Sequence, residues 1–294
     1  MYDIIIVGAG PAGLTSAIYA RRANKKVLVL EAKSYGGQII NANNIENYPG
    51  EPHVSGIDFA TKIYNQAKDL GAEIKFERVI DIVSKDKEIE VISNKGKYNS
   101  KTVIIATGSD NRKLGLDREE ELTGRGVSYC ATCDGNFYKN KDVAVVGNTS
   151  VAVEDTIYLS DIVNKVYLIN KKDTFEVDID ELKNKKNVEI INNAKISKLN
   201  GDKKLESIEV NDRIIDINGL FIAVGRVPET QNFTKLFNVD NMGYVISDDC
   251  HTNIDGIFVA GDNRAKSLRQ LVTATSDGAI AATEAIKYIN GMGK

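Results

Sequence analysis

The feature that most restricts this chain is a unit that occurs twice. Ile4-Ile5-Ile6-Val7 is a β-branched run that stops at Gly8. The Ala-rich segment Pro11–Arg22 then suits a helix, and Lys26–Leu30 returns as a second apolar run. Strand, glycine turn, helix and strand in this order make a βαβ unit, whose short connections imply a parallel sheet covered by helices. The pattern starts again at Asp142, with Val143–Val146 as a strand, a turn at Gly147, a helix over Val151–Ile162 and a strand over Lys165–Ile169. Length agrees: 294 residues, at about 150 per domain, predict two domains.

Between the copies, Lys101–Ala106 reads as a strand closed by Thr107-Gly108. After the second copy, Gly219–Val224 runs into Gly225-Arg226, Gly256–Ala260 runs into Gly261-Asp262, and Leu271–Ile289 carries apolar residues at helical spacing. Boundaries near Arg112 and Met242 follow. The expected architecture is α/β, with two Rossmann-like dinucleotide-binding domains: a discontinuous first domain, 1–111 with 243–294, and an inserted second domain, 112–242.

Composition removes several classes. The 38 Lys and Arg nearly balance 41 Asp and Glu, so no global field marks a nucleic-acid protein. No apolar run approaches the ~20 residues that span a bilayer, and no basic leader precedes Ile4, which points to the cytoplasm. Three Cys are too few for a disulfide scaffold, so a reducing compartment is expected.

Gly8-Ala9-Gly10-Pro11-Ala12-Gly13 matches G-x-G-x-x-G between a strand and a helix. In such a loop Gly8 makes the tight turn, Gly10 lets backbone approach a pyrophosphate, and Gly13 lets helix and strand pack closely, while the helix N-terminus offers N–H donors. Glu31 stands at the end of the second strand, where an acidic residue holds a ribose hydroxyl. The combination predicts a bound dinucleotide.

Cys130-Ala131-Thr132-Cys133 is C-x-x-C, followed by Asp134. A tetrahedral zinc site needs about four ligands, and the remaining candidates, Cys250, His53 and His251, are scattered singly. An iron–sulfur cluster held by Cys alone needs four and is excluded by the count. The spacing beside a dinucleotide fold favours a redox disulfide over two buried small residues, one thiol attacking as thiolate and the other resolving. Asp134 is either the acid that protonates a departing thiolate or a solvated turn aspartate ahead of Gly135. Cys250 is expected to be structural.

Taken together, these motifs resemble the low-molecular-weight thioredoxin reductases over essentially the whole chain. The resemblance is carried by the Gly8–Gly13 loop, Gly36-Gly37-Gln38, Asn47-Tyr48-Pro49-Gly50, Ala106-Thr107-Gly108, the Cys130–Gly135 segment, Gly261-Asp262 and Arg269-Gln270. It implies FAD as cofactor, held by Gly8, Gly10, Pro11, Ala12, Gly13, Glu31, Asn47, Ala106, Thr107 and Gly108, with Gly37, Gln38, Asp262, Arg269 and Gln270 along its ribityl and isoalloxazine parts and Gly261 in the same turn. It also implies Cys133 against the flavin, Cys130 outward toward thioredoxin, Asp134 as proton donor, and a homodimer.

The second glycine turn departs from that pattern. NADPH-linked members carry G-x-G-x-x-A, but here the turn reads Gly147-Asn148-Thr149-Ser150-Val151-Ala152, with Thr149 in place of the glycine that lets backbone approach pyrophosphate. Where those members have H-R-R-x-x-x-R for the 2′-phosphate, this chain has Asn170-Lys171-Lys172-Asp173-Thr174-Phe175-Glu176. Lysine lacks the bidentate fork of arginine, and a carboxylate repels phosphate. The expectation is that NADPH is not bound and that reduced ferredoxin is the donor, as in the ferredoxin-dependent flavin thioredoxin reductases. A ferredoxin at about −400 mV lies roughly 130 mV below thioredoxin, about 6 kcal/mol for two electrons. Lys171, Lys172, Lys183, Lys185, Lys186, Lys203 and Lys204 are candidates for steering it, although most are more simply solvated lysines. The alternatives are an NADPH-dependent thioredoxin reductase, supported by the retained Gly147, Ala152, Lys171 and Lys172, and a flavin-dependent oxidase of small dithiols, disfavoured by Asp134 because such oxidases tend to carry His after the Cys pair.

Overall fold

Alternate residues of the first strand belong to two different cores, which is why its sequence is apolar throughout rather than alternating. In the computed structural model, which describes residues 1–85, 88–230, 233 and 235–292, Ile4 and Ile6 pack on one face of a sheet with Leu14 and Ala17 of the helix Pro11–Arg22. Ile5 and Val7 pack on the other face with Val91 and Val259. A strand buried on both faces needs apolar residues at every position.

That sheet, seven-stranded among the described residues, runs in the order Glu73–Phe76, Val27–Glu31, Tyr2–Val7, Lys97–Ile105, Glu88–Ser93, Val79–Lys85. The long strand Lys97–Ile105 is shared. Its first half pairs antiparallel with Glu88–Ser93, and Val103, Ile104 and Ile105 pair parallel with Ile257–Val259. The C-terminal helix Leu271–Gly291 packs on Pro11–Arg22 at close range. Ser16 Oγ donates to Gly278 O at 3.0 Å, and a Cβ on Gly278 would lie 2.2 Å from Ala12 O.

The second sheet is five-stranded among the described residues and parallel, in the order Val188–Ile191, Lys165–Ile169, Asp142–Val146, Gly219–Ile222, Val127–Ser128. The helix Ser150–Ser160 covers one face through Ala152, Val153 and Leu159. An antiparallel meander of Ile196–Asn200, Ser207–Val210 and Arg213–Asp216 contributes Ile196, Ile208 and Ile215 to the other core.

The two sheets belong to two compact units, Met1–Asp110 with Val227–Lys294 and Asn111–Arg226. The α/β class with two Rossmann-like sheets is the one expected. The return to the first unit falls at Arg226–Val227, however, rather than near Met242. Phe233, Phe237 and Val245 explain the difference, since all three are buried in the first unit's core beside Ile5 and Val7. No helix among the described residues is long and apolar enough to cross a membrane.

Candidate active site

In the first unit, the strand Tyr2–Val7 ends at Gly8, whose φ of +109° and near approach to Ala106 exclude a side chain: a Cβ there would lie 2.3 Å from Ala106 O. Gly13 is equally committed to packing, with a Cβ placed 2.0 Å from Gly8 O. Gly10 differs. It precedes the helix as N-cap, Pro11 opens the first turn, and a Cβ on Gly10 would meet nothing within 4 Å. The open space before a helix N-terminus is the seat an anion needs.

Other motifs close around this turn. Gly36 N donates to Ala9 O at 2.8 Å, and a Cβ on Gly37 would come within 3.3 Å of Gly10 Cα. Glu31 accepts from Ala9 N at 2.8 Å and from Lys33 N at 2.7 Å, so its carboxylate fixes backbone as well as facing the turn. A cavity of about 490 Å³ opens beside it, lined by Gly8, Glu31, Lys33, Glu77, Arg78 and Thr107 among others. Gln38 Nε2 donates to Asp110 at 2.9 Å, and Asn47 Nδ2 donates to Gln270 Oε1 at 3.1 Å. Thr107 Oγ1 accepts from Asn263 Nδ2 at 3.2 Å, and Gly108 turns the chain at φ +74°.

A buried ionic cluster, absent from the sequence reading, holds the Gly261-Asp262 turn. Asp277, on the C-terminal helix, accepts from Gly261 N at 3.0 Å, from Lys266 Nζ at 2.9 Å and from Arg264 Nη1 at 2.8 Å. Lys266 also lies 3.5 Å from Asp262. Arg269 is stacked 3.9 Å above the Tyr244 ring and donates to Asp262 O, while Gln270 caps the helix, its N–H donating to Thr273 Oγ1 at 3.0 Å. Arg264 and Lys266, two residues apart after Gly261-Asp262, were the signal available. Cys250 is wholly buried beside this cluster, and burial pushes its thiol up to about 12, which suits a structural thiol.

In the second unit, Cys130 and Cys133 are joined as a disulfide with Cα atoms 5.3 Å apart. Cys133 is exposed and Cys130 half-buried, so the exposed sulfur is the one the resemblance turns toward the flavin. The pair begins the single turn Ala131–Asp134, which brings Asp134 back beneath Cys130, the Asp134 amide donating to Cys130 O at 3.1 Å. Burial holds the Asp134 carboxyl above the usual carboxylate range, partly opposed by a 2.6 Å hydrogen bond from Ser128. A partly buried carboxyl with a raised pKa is not the solvated turn residue that the sequence also allowed.

The second glycine turn repeats the backbone of the first. Thr149 is N-cap of Ser150–Ser160 at φ −97°, ψ 176°, close to the −76° and −178° of Gly10. A side chain therefore stands at the N-cap where the first turn has none, and its buried hydroxyl finds no hydrogen-bond partner among the described residues. Glu176 N donates to Asn148 O at 3.0 Å, and its carboxylate accepts from Asn148 Nδ2 at 3.3 Å and from Lys172 Nζ at 3.0 Å. Among the other lysines considered for steering, Lys183 is paired with Asp180 and Lys185 with Asp161, both at 2.6 Å, which reduces the positive field expected of them.

An open dinucleotide turn and a C-x-x-C disulfide, carried on two Rossmann-like units, define a disulfide oxidoreductase. Comparisons with known proteins agree. Residues 2–278 match the model of the pyridine nucleotide-disulphide oxidoreductases. A thioredoxin reductase of Listeria monocytogenes is 41% identical over 303 residues, covering 98% of this chain and 94% of that protein. The crystal structure of thioredoxin reductase from Streptococcus pyogenes superposes with a TM-score of 0.95 at 37% identity, covering 99% of each chain. A ferredoxin-flavin thioredoxin reductase from Clostridium acetobutylicum matches with a TM-score of 0.56 at 32% identity, covering 99% of this chain and 98% of that one. The chain belongs to the thioredoxin reductase family of pyridine nucleotide-disulphide oxidoreductases.

The family implies FAD, and the first unit has features that fit it: the unfilled seat at Gly10, the helix N-terminus behind it and the cavity beside Glu31.

Proposed function

We propose that this chain is an FAD-dependent reductase of the thioredoxin disulfide. The observation that carries the reading is the Cys130–Cys133 disulfide with a partly buried Asp134 one turn away, its carboxyl raised by burial. FAD, when bound, supplies electron-pair exchange with that disulfide. Gly8, Gly10 and the first turn of Pro11–Arg22 hold its pyrophosphate, with Pro11, Ala12 and Gly13 keeping that turn close to the sheet. Glu31 holds the adenosine ribose, Thr107 borders the same cavity, and Ala106 and Gly108 flank Thr107 in the chain. Gly37, Gln38, Asn47, Gly261, Asp262, Arg269 and Gln270 hold the ribityl and flavin end. Cys130 attacks the thioredoxin disulfide, Cys133 resolves the mixed disulfide, and Asp134 keeps a proton ready for the departing sulfur.

For the electron donor, the comparisons favour NADPH over the ferredoxin expected from sequence. The Listeria and Streptococcus proteins are named thioredoxin reductase without qualification and match more closely than the ferredoxin-flavin enzyme. A ferredoxin-linked reading is kept for one specific reason. Thr149 puts a side chain at the N-cap position that Gly10 holds in the first turn, and Glu176 engages Lys172, a candidate phosphate ligand.

Two measurements test these readings. The FAD-loaded protein, mixed anaerobically with NADPH or with reduced ferredoxin, should lose flavin colour rapidly and saturably with its true donor. Bleaching by micromolar NADPH ends the ferredoxin reading, and bleaching by ferredoxin alone ends the other. With oxidised thioredoxin, Cys133→Ser should trap a mixed disulfide through Cys130, whereas Cys130→Ser should trap none and lose turnover. Unchanged turnover in Cys130→Ser overturns the reductase reading altogether.

A further inference from the structure

The Asp134 carboxyl beside the disulfide is not held by the disulfide turn alone. Ser128, buried at the end of the strand Val127–Ser128, puts its hydroxyl oxygen 2.6 Å from Asp134 Oδ2, 3.1 Å from the Cys130 amide that donates to it, and 3.4 Å from Cys130 O. A serine hydroxyl has one proton to give and two lone pairs. With Asp134 ionised, the single proton goes to the carboxylate, the nearer acceptor. With Asp134 protonated, the carboxyl donates to Ser128 Oγ, which still accepts from the Cys130 amide, and the serine proton swings to Cys130 O. The Ser128 proton has an acceptor in both states, and its oxygen keeps the Cys130 amide.

We propose that Ser128 is a positioning residue that holds Asp134 for proton delivery at the disulfide and couples its protonation to the backbone of Cys130. This rests on the reading of Asp134 as proton donor. In that step the Cys130 thiolate attacks one sulfur of the substrate disulfide. A new S–S bond forms, the old one breaks, and the electron pair leaves with the second sulfur, which takes the proton from Asp134. The carboxylate so formed is caught by the Ser128 O–H.

Other groups around Asp134 are few. Tyr138, from the turn Gly135–Tyr138, is pushed up to about 12 by burial and by the Asp134 charge. The helix Ser150–Ser160 approaches through Tyr158 and Leu159, which a Cβ on Gly135 would meet at 3.1 and 3.0 Å. The Ser128 hydrogen bond opposes burial in setting the Asp134 carboxyl.

The experiment is a single turnover. FAD-loaded protein, reduced with dithionite and freed of excess, is mixed with oxidised thioredoxin across a pH series, which removes the donor from the measurement. The limb on which the rate falls as Asp134 loses its proton should move up by about one pH unit in Ser128→Ala, because a hydrogen bond to the carboxylate has been deleted. Ser128→Thr, which keeps the hydroxyl, should restore it, and in Asp134→Asn the limb should vanish with or without Ser128. A lower rate at every pH with the limb unmoved in Ser128→Ala overturns the proposal, as does a limb displaced from wild type in Ser128→Thr, a readout that stands even if the alanine variant does not fold. An Asp134→Asn profile identical to wild type instead removes the reading of Asp134, and the role of Ser128 falls with it.

Discussion

Glu176 accepts a 3.0 Å hydrogen bond from Lys172, and that contact lowers the Glu176 carboxyl below the usual range. The pair lies in the segment that the resemblance assigns to a 2′-phosphate, where a carboxylate already partners one of the two lysines, Lys171 and Lys172. Neutralising it in Glu176→Gln should improve saturation by NADPH. Both groups are exposed and solvent-screened, so a gain of about three- to tenfold in half-saturating concentration is expected. Stopped-flow flavin reduction over an NADPH series measures it. No change in that concentration removes Glu176 from the donor question.

Gly10 and Gly13 should respond in opposite ways to the same substitution. A Cβ on Gly10 meets nothing, so Gly10→Ala should fold with normal stability yet bind FAD at least about tenfold more weakly, because the methyl enters the pyrophosphate approach. A Cβ on Gly13 would lie 2.0 Å from Gly8 O, so Gly13→Ala should lose stability, by about 1–3 kcal/mol, before any cofactor is considered. Urea unfolding of cofactor-free protein, followed by FAD titration, separates the two.

Asp277 is buried between Arg264 and Lys266 and also accepts the Gly261 amide. Asp277→Asn leaves two nearby cations with one carboxylate fewer and should cost about 3 kcal/mol, in the range measured for breaking buried pairs. Chemical denaturation at fixed pH provides the test, and a cost below about 1 kcal/mol means that the cluster relaxes without it.

Burial, with Glu154 alongside, pushes the Asp155 carboxyl up to about 7. The folded protein therefore holds this proton more tightly than the unfolded chain does, so the contribution of Asp155 to stability falls as pH rises from about 4 to 7. Asp155→Asn should match wild type near pH 4 and exceed it by about 1–2 kcal/mol at pH 8. Unfolding midpoints at the two pH values decide, and a constant difference between the proteins contradicts the assignment.

Much of the fold is legible where a segment has a single job. Pro11–Arg22 and Lys165–Ile169 occupy the residues that their patterns imply, because the first is a helix packed on two neighbours and the second a strand buried on both faces. The Gly8–Gly13 loop is legible because backbone contacts fix each glycine or, at Gly10, empty space surrounds it. The antiparallel strands Val79–Lys85 and Glu88–Ser93 carry charge on one side and blend into the loops around them. The return to the first unit is missed because Phe233 and Phe237 lie outside any periodic segment while burying as deeply as a strand. Ser128 and Asp277 escape for another reason: each is an ordinary polar residue whose importance comes from partners that only the folded chain brings near.

The helix Pro11–Arg22 completes its packing against Leu271–Gly291, a segment from the opposite end of the chain. A ribosome making this protein therefore releases all of Asn111–Arg226 while the helix Pro11–Arg22 still shows a bare flank. The redox cysteines lie in the portion made in between, and Pro11–Arg22 must wait for Leu271–Gly291 to emerge before that flank is covered.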